Sequence, residues 1–128
     1  MAHFAFTKLV VVDLDAAEAF YTTVFGLTPT ARVHSDIAGR VIDEVMFAAT
    51  APGASTFVLL TYPDLRDASS DEVIVGFMTD DVDALVTLAV ASGGALAREP
   101  RDMPEHGVRV GFVTDPEGHL IELVQRLG

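Results

Sequence analysis

The chain is built twice over. Asp13-Leu14-Asp15-Ala16 returns as Asp81-Val82-Asp83-Ala84, and Gly26 returns as Gly94, each after the same step of 68 residues. In a chain of 128 residues that step leaves room for two copies of one small unit and little else. Whatever elements the first copy contains, in whatever order, the second is expected to contain as well.

In the first copy, residues 2–12 are rich in Phe, Val and Leu and read as a buried strand. Asp15 with Glu18 three residues later matches a helix capping box. Ala19, Phe20, Thr23, Val24 and Leu27 then follow at helical spacing, Gly26 suits a C-cap, and Pro29 forbids continuation. Residues 30–35, 41–49 and 56–62 read as three strands, divided by turn signals at 36–39 and 50–55. Residues 63–71 are polar and aperiodic, as a linker would be. In the second copy, residues 72–79 read as a strand and 80–83 open a helix that Gly93-Gly94 stops. A short strand at 95–98, a loop at 99–107 and strands at 108–114 and 119–125 complete the chain. Both copies read β-α-β-β-β. The expected class is α+β, with tandem βαβββ modules at residues 1–66 and 67–128 sharing one structural domain.

The final stretch, DPEGHLIELVQ at 115–125, sets Glu122 inside an apolar strand, where a carboxylate without a partner is costly. Together with DLDAAEAFYTTVFGL at 13–27 and the doubled βαβββ order, it makes the chain resemble the vicinal oxygen chelate superfamily. That superfamily includes glyoxalase I, extradiol dioxygenases, fosfomycin resistance enzymes and bleomycin resistance proteins. The resemblance implies that the modules form a cupped, incomplete barrel. It also implies that a divalent metal, where one is used, takes one inward-pointing ligand from the first and last strand of each module. In this sequence those positions are Phe6, seven residues before Asp13; Leu59, or Phe57 or Thr61 after a two-residue slip; Ile74, seven residues before Asp81; and Glu122. A mononuclear site draws three or four donors from His, Asp and Glu, and only Glu122 supplies one. The expectation is no metal at the usual site and no cofactor.

The same positions outline an apolar pocket. Phe6, Leu59 and Ile74 are expected to point into it, joined by Val110 and Phe112, with Val108 beside them. Lys8 has the parity of Phe6 and is expected to project the same way. Glu122 reads as a leftover ligand, a counter-charge to Lys8, a catalytic base or an anchor for a cation; apolar surroundings favour its neutral form, which suits a base. Asp13, Asp15, Asp81 and Asp83 read as helix caps. His34 and His106 fall at strand-end or loop positions on the rim, while His119 should face away from Glu122. Arg98 and Arg101 could hold an anion, and Arg109 should point outward, opposite Val108 and Val110.

The absence of cysteine excludes disulfides, thiolate metal sites and cysteine nucleophiles. A net charge of −11 argues against nucleic acid and anionic membrane surfaces as partners. The longest apolar runs are strand-sized and nothing resembles a signal peptide, so a cytoplasmic location is expected. Sheet edges favour a homodimer. Two functions fit. One is metal-independent binding of a small, largely apolar or aromatic molecule, cationic ones included, as in antibiotic sequestration by the bleomycin resistance group. The alternative is an enzyme of the same superfamily, a lyase, isomerase, hydrolase or dioxygenase, using Glu122 as base or metal ligand.

Overall fold

Two aspartates, 68 residues apart, start the two helices. The Asp13 side chain accepts a hydrogen bond from the Ala16 N–H at 3.0 Å and opens α1 (Leu14–Phe25). The Asp81 side chain accepts from the Ala84 N–H at 3.0 Å and opens α2 (Val82–Ala91). Each cap satisfies an orphan amide and contributes about 1 kcal/mol. The cap expected at Asp15 therefore sits two residues earlier, and Asp15 lies inside the first turn. Gly26 ends α1 in the left-handed region, φ 66°, with its N–H on the Thr22 carbonyl. α2 stops sooner, at Ser92, and the left-handed residue after it is Gly93 at φ 102°. Gly94, expected to match Gly26, instead donates its N–H to the Ala89 carbonyl.

The structure, a computed structural model, describes residues 1–65 and 72–128. Most of the expected linker, and the module boundary expected between residues 66 and 67, lie outside the described residues. The chain divides into two compact units, Met1–Ala68 and Ser69–Gly128. The first holds β1 (Phe6–Val10), α1, β2 (Pro29–Ile37), β3 (Arg40–Phe47) and β4 (Thr56–Thr61). The second holds β5 (Val75–Met78), α2, β6 (Ala95–Met103), a short 3-10 turn at Pro104–His106, β7 (Val108–Thr114) and β8 (Leu120–Arg126). The sheet orders are β1-β4-β3-β2 and β5-β8-β7-β6. In each, the first strand runs parallel to the last and the remaining pairs are antiparallel. The class is α+β, each unit being one helix against one open, mixed sheet.

Local chemistry explains the departures from expectation. β2 and β3 meet through only Ala38-Gly39, at φ 51° and 85°, the double positive-φ geometry of a tight hairpin. The Asp36 carboxylate accepts from the Gly39 N–H at 3.1 Å and holds the turn. β6 was expected to end at Arg98 but continues to Met103, through Pro100. An edge strand tolerates proline because one flank needs no ladder, and the register shifts on both sides of Arg98. The Pro100 ring lies over Gly111 of β7, where a Cβ would come within 3.0 Å of it.

An arginine ties each helix to its sheet. Arg32 of β2 bonds Asp15 at 2.7 Å and Glu18 at 2.9 Å. Arg109 of β7 makes a two-pronged contact with Asp83, at 2.8 and 2.9 Å, and reaches Asp102 at 3.1 Å. Asp15 and Asp83 thus anchor helices where caps were expected. The hydrogen bond from Arg109 holds the Asp83 carboxyl below its ordinary range. A depressed folded-state value means that this contribution is present above the unfolded-state pKa of about 3.9 and fades as pH falls through the folded value. Asp83→Asn should therefore lower stability at neutral pH, with the gap to the parent closing in acid. Denaturant unfolding of both proteins across pH 2.5 to 7 measures it, and a gap independent of pH would contradict the assignment.

Candidate functional site

Side chains alternate along a strand and bridge partners share a face, so register sorts every strand residue onto the helix side or the far side of its sheet. In the first unit α1 packs on β3 and β4. Phe57 lies under it, 5.2 Å from the Tyr21 ring, and Arg32 reaches it from β2. Leu9, Leu59 and Val45 are paired across three strands on this side and are 3%, 0% and 1% exposed.

Leu59 is therefore misplaced by the sequence reading. It was expected beside Phe6, but Phe6 pairs with Thr56, leaving Leu59 on the opposite face. The two-residue slips, Phe57 and Thr61, share its face. The cause is the one-residue offset of the parallel pairing, which sequence spacing does not reveal.

The far side of the first sheet carries Phe6, Lys8 and Val10 from β1, Thr56, Val58 and Leu60 from β4, and Ile42, Glu44 and Met46 from β3. Phe6 and Lys8 thus lie together, with the Lys8 Nζ 5.6 Å from the centre of the Phe6 ring. Lys8 has a partner the sequence reading did not name: Glu44, whose Oε2 accepts from Nζ at 2.9 Å. The Glu44 side chain is 11% exposed and that of Lys8 31%. The signal was present in Ile42-Asp43-Glu44-Val45-Met46. There an acid shares parity with two apolar residues, the same pattern that drew attention to Glu122 in the last strand.

In the second unit α2 packs on β6, β7 and β8. Arg109, Gly111 and Val113 face it, so Arg109 does point away from the Val108–Val110–Phe112 row. Glu122 lies on the far side. Its neighbours in register are Gly76 and Phe112, with Val110 opposite Val124 and Met78 next along β5. Ile74, just before β5, has the same parity and is 54% exposed. Val110, Phe112 and Glu122 therefore share one face, and Ile74 precedes the strand without a register partner. Arg98 stands across from Phe112, one strand further out. Among the described residues no ion pair or hydrogen bond engages the Glu122 carboxylate. Gly76 presents no side chain beside it, which leaves that flank open.

The histidines separate by role. His119 is buried, with its Nδ1 2.8 Å from Asp115 Oδ2. Asp115 also accepts the N–H groups of Glu117 and His119, so the pair locks the turn before β8. His34 meets Asp43 at 2.6 Å on an exposed part of the β2–β3 hairpin, and His106 ends the exposed 3-10 turn. A recess of about 360 Å³ lies where β5 and β8 end, lined by Met78, Thr79, Asp80, Gln125 and Arg126. It stops short of Glu122.

The family's metal positions can be tested on their donors. Phe6, Leu59 and Ile74 have none, and Leu59 faces the helix. Among the described residues no group of three or more His, Asp or Glu side chains is placed to hold a metal ion. The donor set does not fit a tightly held divalent ion. Restoring a carboxylate at the family position should fail for a physical reason: Leu59→Glu buries a charge against α1. We expect a loss of about 3 kcal/mol or more, or failure to fold, with no gain in nickel or zinc affinity. Calorimetric metal titration and denaturant unfolding of the variant measure both, and a stable variant that gains metal affinity would reverse the face assignment.

Residues 1–123 match the family described as Glyoxalase/Bleomycin resistance protein/Dioxygenase superfamily. A Vibrio parahaemolyticus protein named "Probable lactoylglutathione lyase" is 30% identical over 125 residues, covering 93% of this chain and 87% of that protein. Lactoylglutathione lyase GLX1 of Arabidopsis thaliana is 37% identical over 120 residues, but the chain spans only 41% of its length. The same holds for a Brassica oleracea relative, also covered over 41% of its length. Among solved structures, a glyoxalase family protein from Bacillus cereus superimposes with a TM-score of 0.82 at 23% identity, over 100% of this chain and 96% of that one. A glyoxalase-related enzyme from Fulvimarina pelagi gives 0.69 at 25% identity, over 98% and 89%. Sequence match, repeated βαβββ topology and fold agree, and the chain belongs to the glyoxalase/bleomycin resistance protein/dioxygenase superfamily.

Proposed function

We propose that this protein binds a small, largely apolar or aromatic organic molecule, with a cationic group favoured, and does so without a resident divalent metal. The observation that carries the reading is Glu122. It stands on a sheet face formed by Val110, Phe112, Met78 and Val124, beside the side-chain-free Gly76, with no partner among the described residues. That carboxylate is part-exposed and engaged by no ion pair among the described residues, so a ligand cation can reach it and make a charge-assisted contact. Phe112 offers the aromatic surface against which such a ligand packs. Sequestration of a bulky cationic antibiotic is the physiological role this supports, in the cytoplasm.

A second reading is favoured by the relatives named as lactoylglutathione lyases. In it Glu122 is the proton acceptor of a lyase or isomerase, or one ligand of a metal. Both readings take the protein as a homodimer. Large apolar side chains stand exposed on or beside edge strands β1 and β5, Phe6 at 53% and Met78 at 59%, and an unpaired edge with apolar neighbours favours association. Light scattering on the purified protein tests this.

Elemental analysis of that protein should find well under one equivalent of divalent metal per chain. Calorimetric titration with bleomycin should show saturable binding, and Glu122→Gln should weaken it about tenfold, the worth of one charge-assisted contact. Turnover of S-lactoylglutathione that disappears in Glu122→Gln would establish the second reading instead.

A further inference from the structure

The first sheet carries a polar centre of its own. Lys8 is on β1 and Glu44 on β3, with β4 between them. Their salt bridge therefore crosses over β4, where Val58 and Leu60 face the same side. Both of those are 2% exposed. An ion pair on an apolar surface adds little net stability, because desolvation offsets its attraction; apolar replacements are often as stable. What such a pair does supply is direction. Lys8 Nζ has three N–H donors and gives one to Glu44 Oε2. The other carboxylate oxygen, Oε1, takes no hydrogen bond from a described residue, yet it is not among the sealed buried polar atoms. A donor and an acceptor are thus presented side by side, with the half-exposed ring of Phe6 next to the ammonium.

We propose that the Lys8–Glu44 pair is a recognition element for a neutral group with adjacent hydrogen-bond acceptor and donor, a carboxamide or urea borne on an aromatic or apolar body. The carbonyl accepts from Lys8 Nζ, the N–H donates to Glu44 Oε1, and the body packs on Phe6. Because the pair is already internally neutralised, it favours a neutral partner over an ion of either sign. An anion would compete with Glu44 for Lys8, and a cation would compete with Lys8 for Glu44. The inference shares with the proposed function only the premise that small molecules bind; its residues lie on the other unit.

The test uses four probes of one size: benzamide, benzoate, benzylammonium and toluene. Binding is followed in methyl spectra of the full chain at Ile42, Met46, Val58 and Leu60. Benzamide is expected to give saturable shifts at these methyls, at least about five-fold tighter than the other three probes, from one or two added hydrogen bonds. Glu44→Gln should narrow that preference. Lys8→Met alone would strand the Glu44 charge, so the double variant Lys8→Met/Glu44→Met is the companion. It should stay folded, retain the toluene response and lose the benzamide preference. The proposal is overturned if the four probes bind alike, if benzamide leaves these methyls unmoved, or if the double variant keeps the preference. Bleomycin binding and its dependence on Glu122 are read in a separate titration, so either reading can fail while the other stands.

Discussion

The parallel pairing of the first strand with the last is the constraint from which each unit's chemistry follows. β1 pairs with β4, and β5 with β8, at fixed register. A parallel pair requires a long crossover, and here that crossover carries the helix and two further strands. Once the register is set, alternation commits every residue of the sheet to the helix side or the far side. Leu9 opposite Leu59, and Phe77 opposite Leu123, build the helix side. Phe6, Lys8, Glu122 and Phe112 are then left on the far side. A slip of one residue in either pair would exchange these sets, turning Lys8 in the first or Glu122 in the second toward a helix.

Much of the architecture was legible because it is written in local signals. Caps, turns and apolar periods act within a few residues, and the repeat doubles each of them. The element order and both sheets' contents follow from that. What local signals miss is geometry between strands distant in sequence. Leu59 went to the wrong face because the β1–β4 register depends on packing under α1, on Tyr21 and Phe57 among others. Glu44 went unnamed because its significance lies in Lys8, 36 residues away. β6 was cut short at Pro100 because the rule against proline in strands holds for central strands, and edge status is a tertiary property. That Val110, Phe112 and Glu122 share one face was legible for the opposite reason. β7 and β8 are joined by a short turn, so parity carries across it.

The two units answer the same chemical problem differently. Each sets one carboxylate on the face away from its helix. In the first, Lys8 compensates Glu44 and the pair is held across β4. In the second, Glu122 stands among apolar neighbours without an ion-pair partner among the described residues. A repeated scaffold thus keeps its backbone while its two faces differ in how the carboxylate is held, paired with Lys8 in the first and without an ion pair among the described residues in the second, where Arg98 and Arg126 share the face. Fold membership leaves that difference open, since a single scaffold hosts several chemistries.

Pro100 also governs how the second sheet can grow. An open sheet can recruit a strand at either edge. At β6 the proline withholds one N–H and the shifted register on both sides of Arg98 interrupts the row of free backbone groups. A neighbouring strand finds no continuous ladder there. β5, only four residues long, is regular and presents Gly76 in its centre. The two margins therefore differ as templates: the β6 row is interrupted at Arg98–Pro100, whereas Val75–Met78 offers a short regular one.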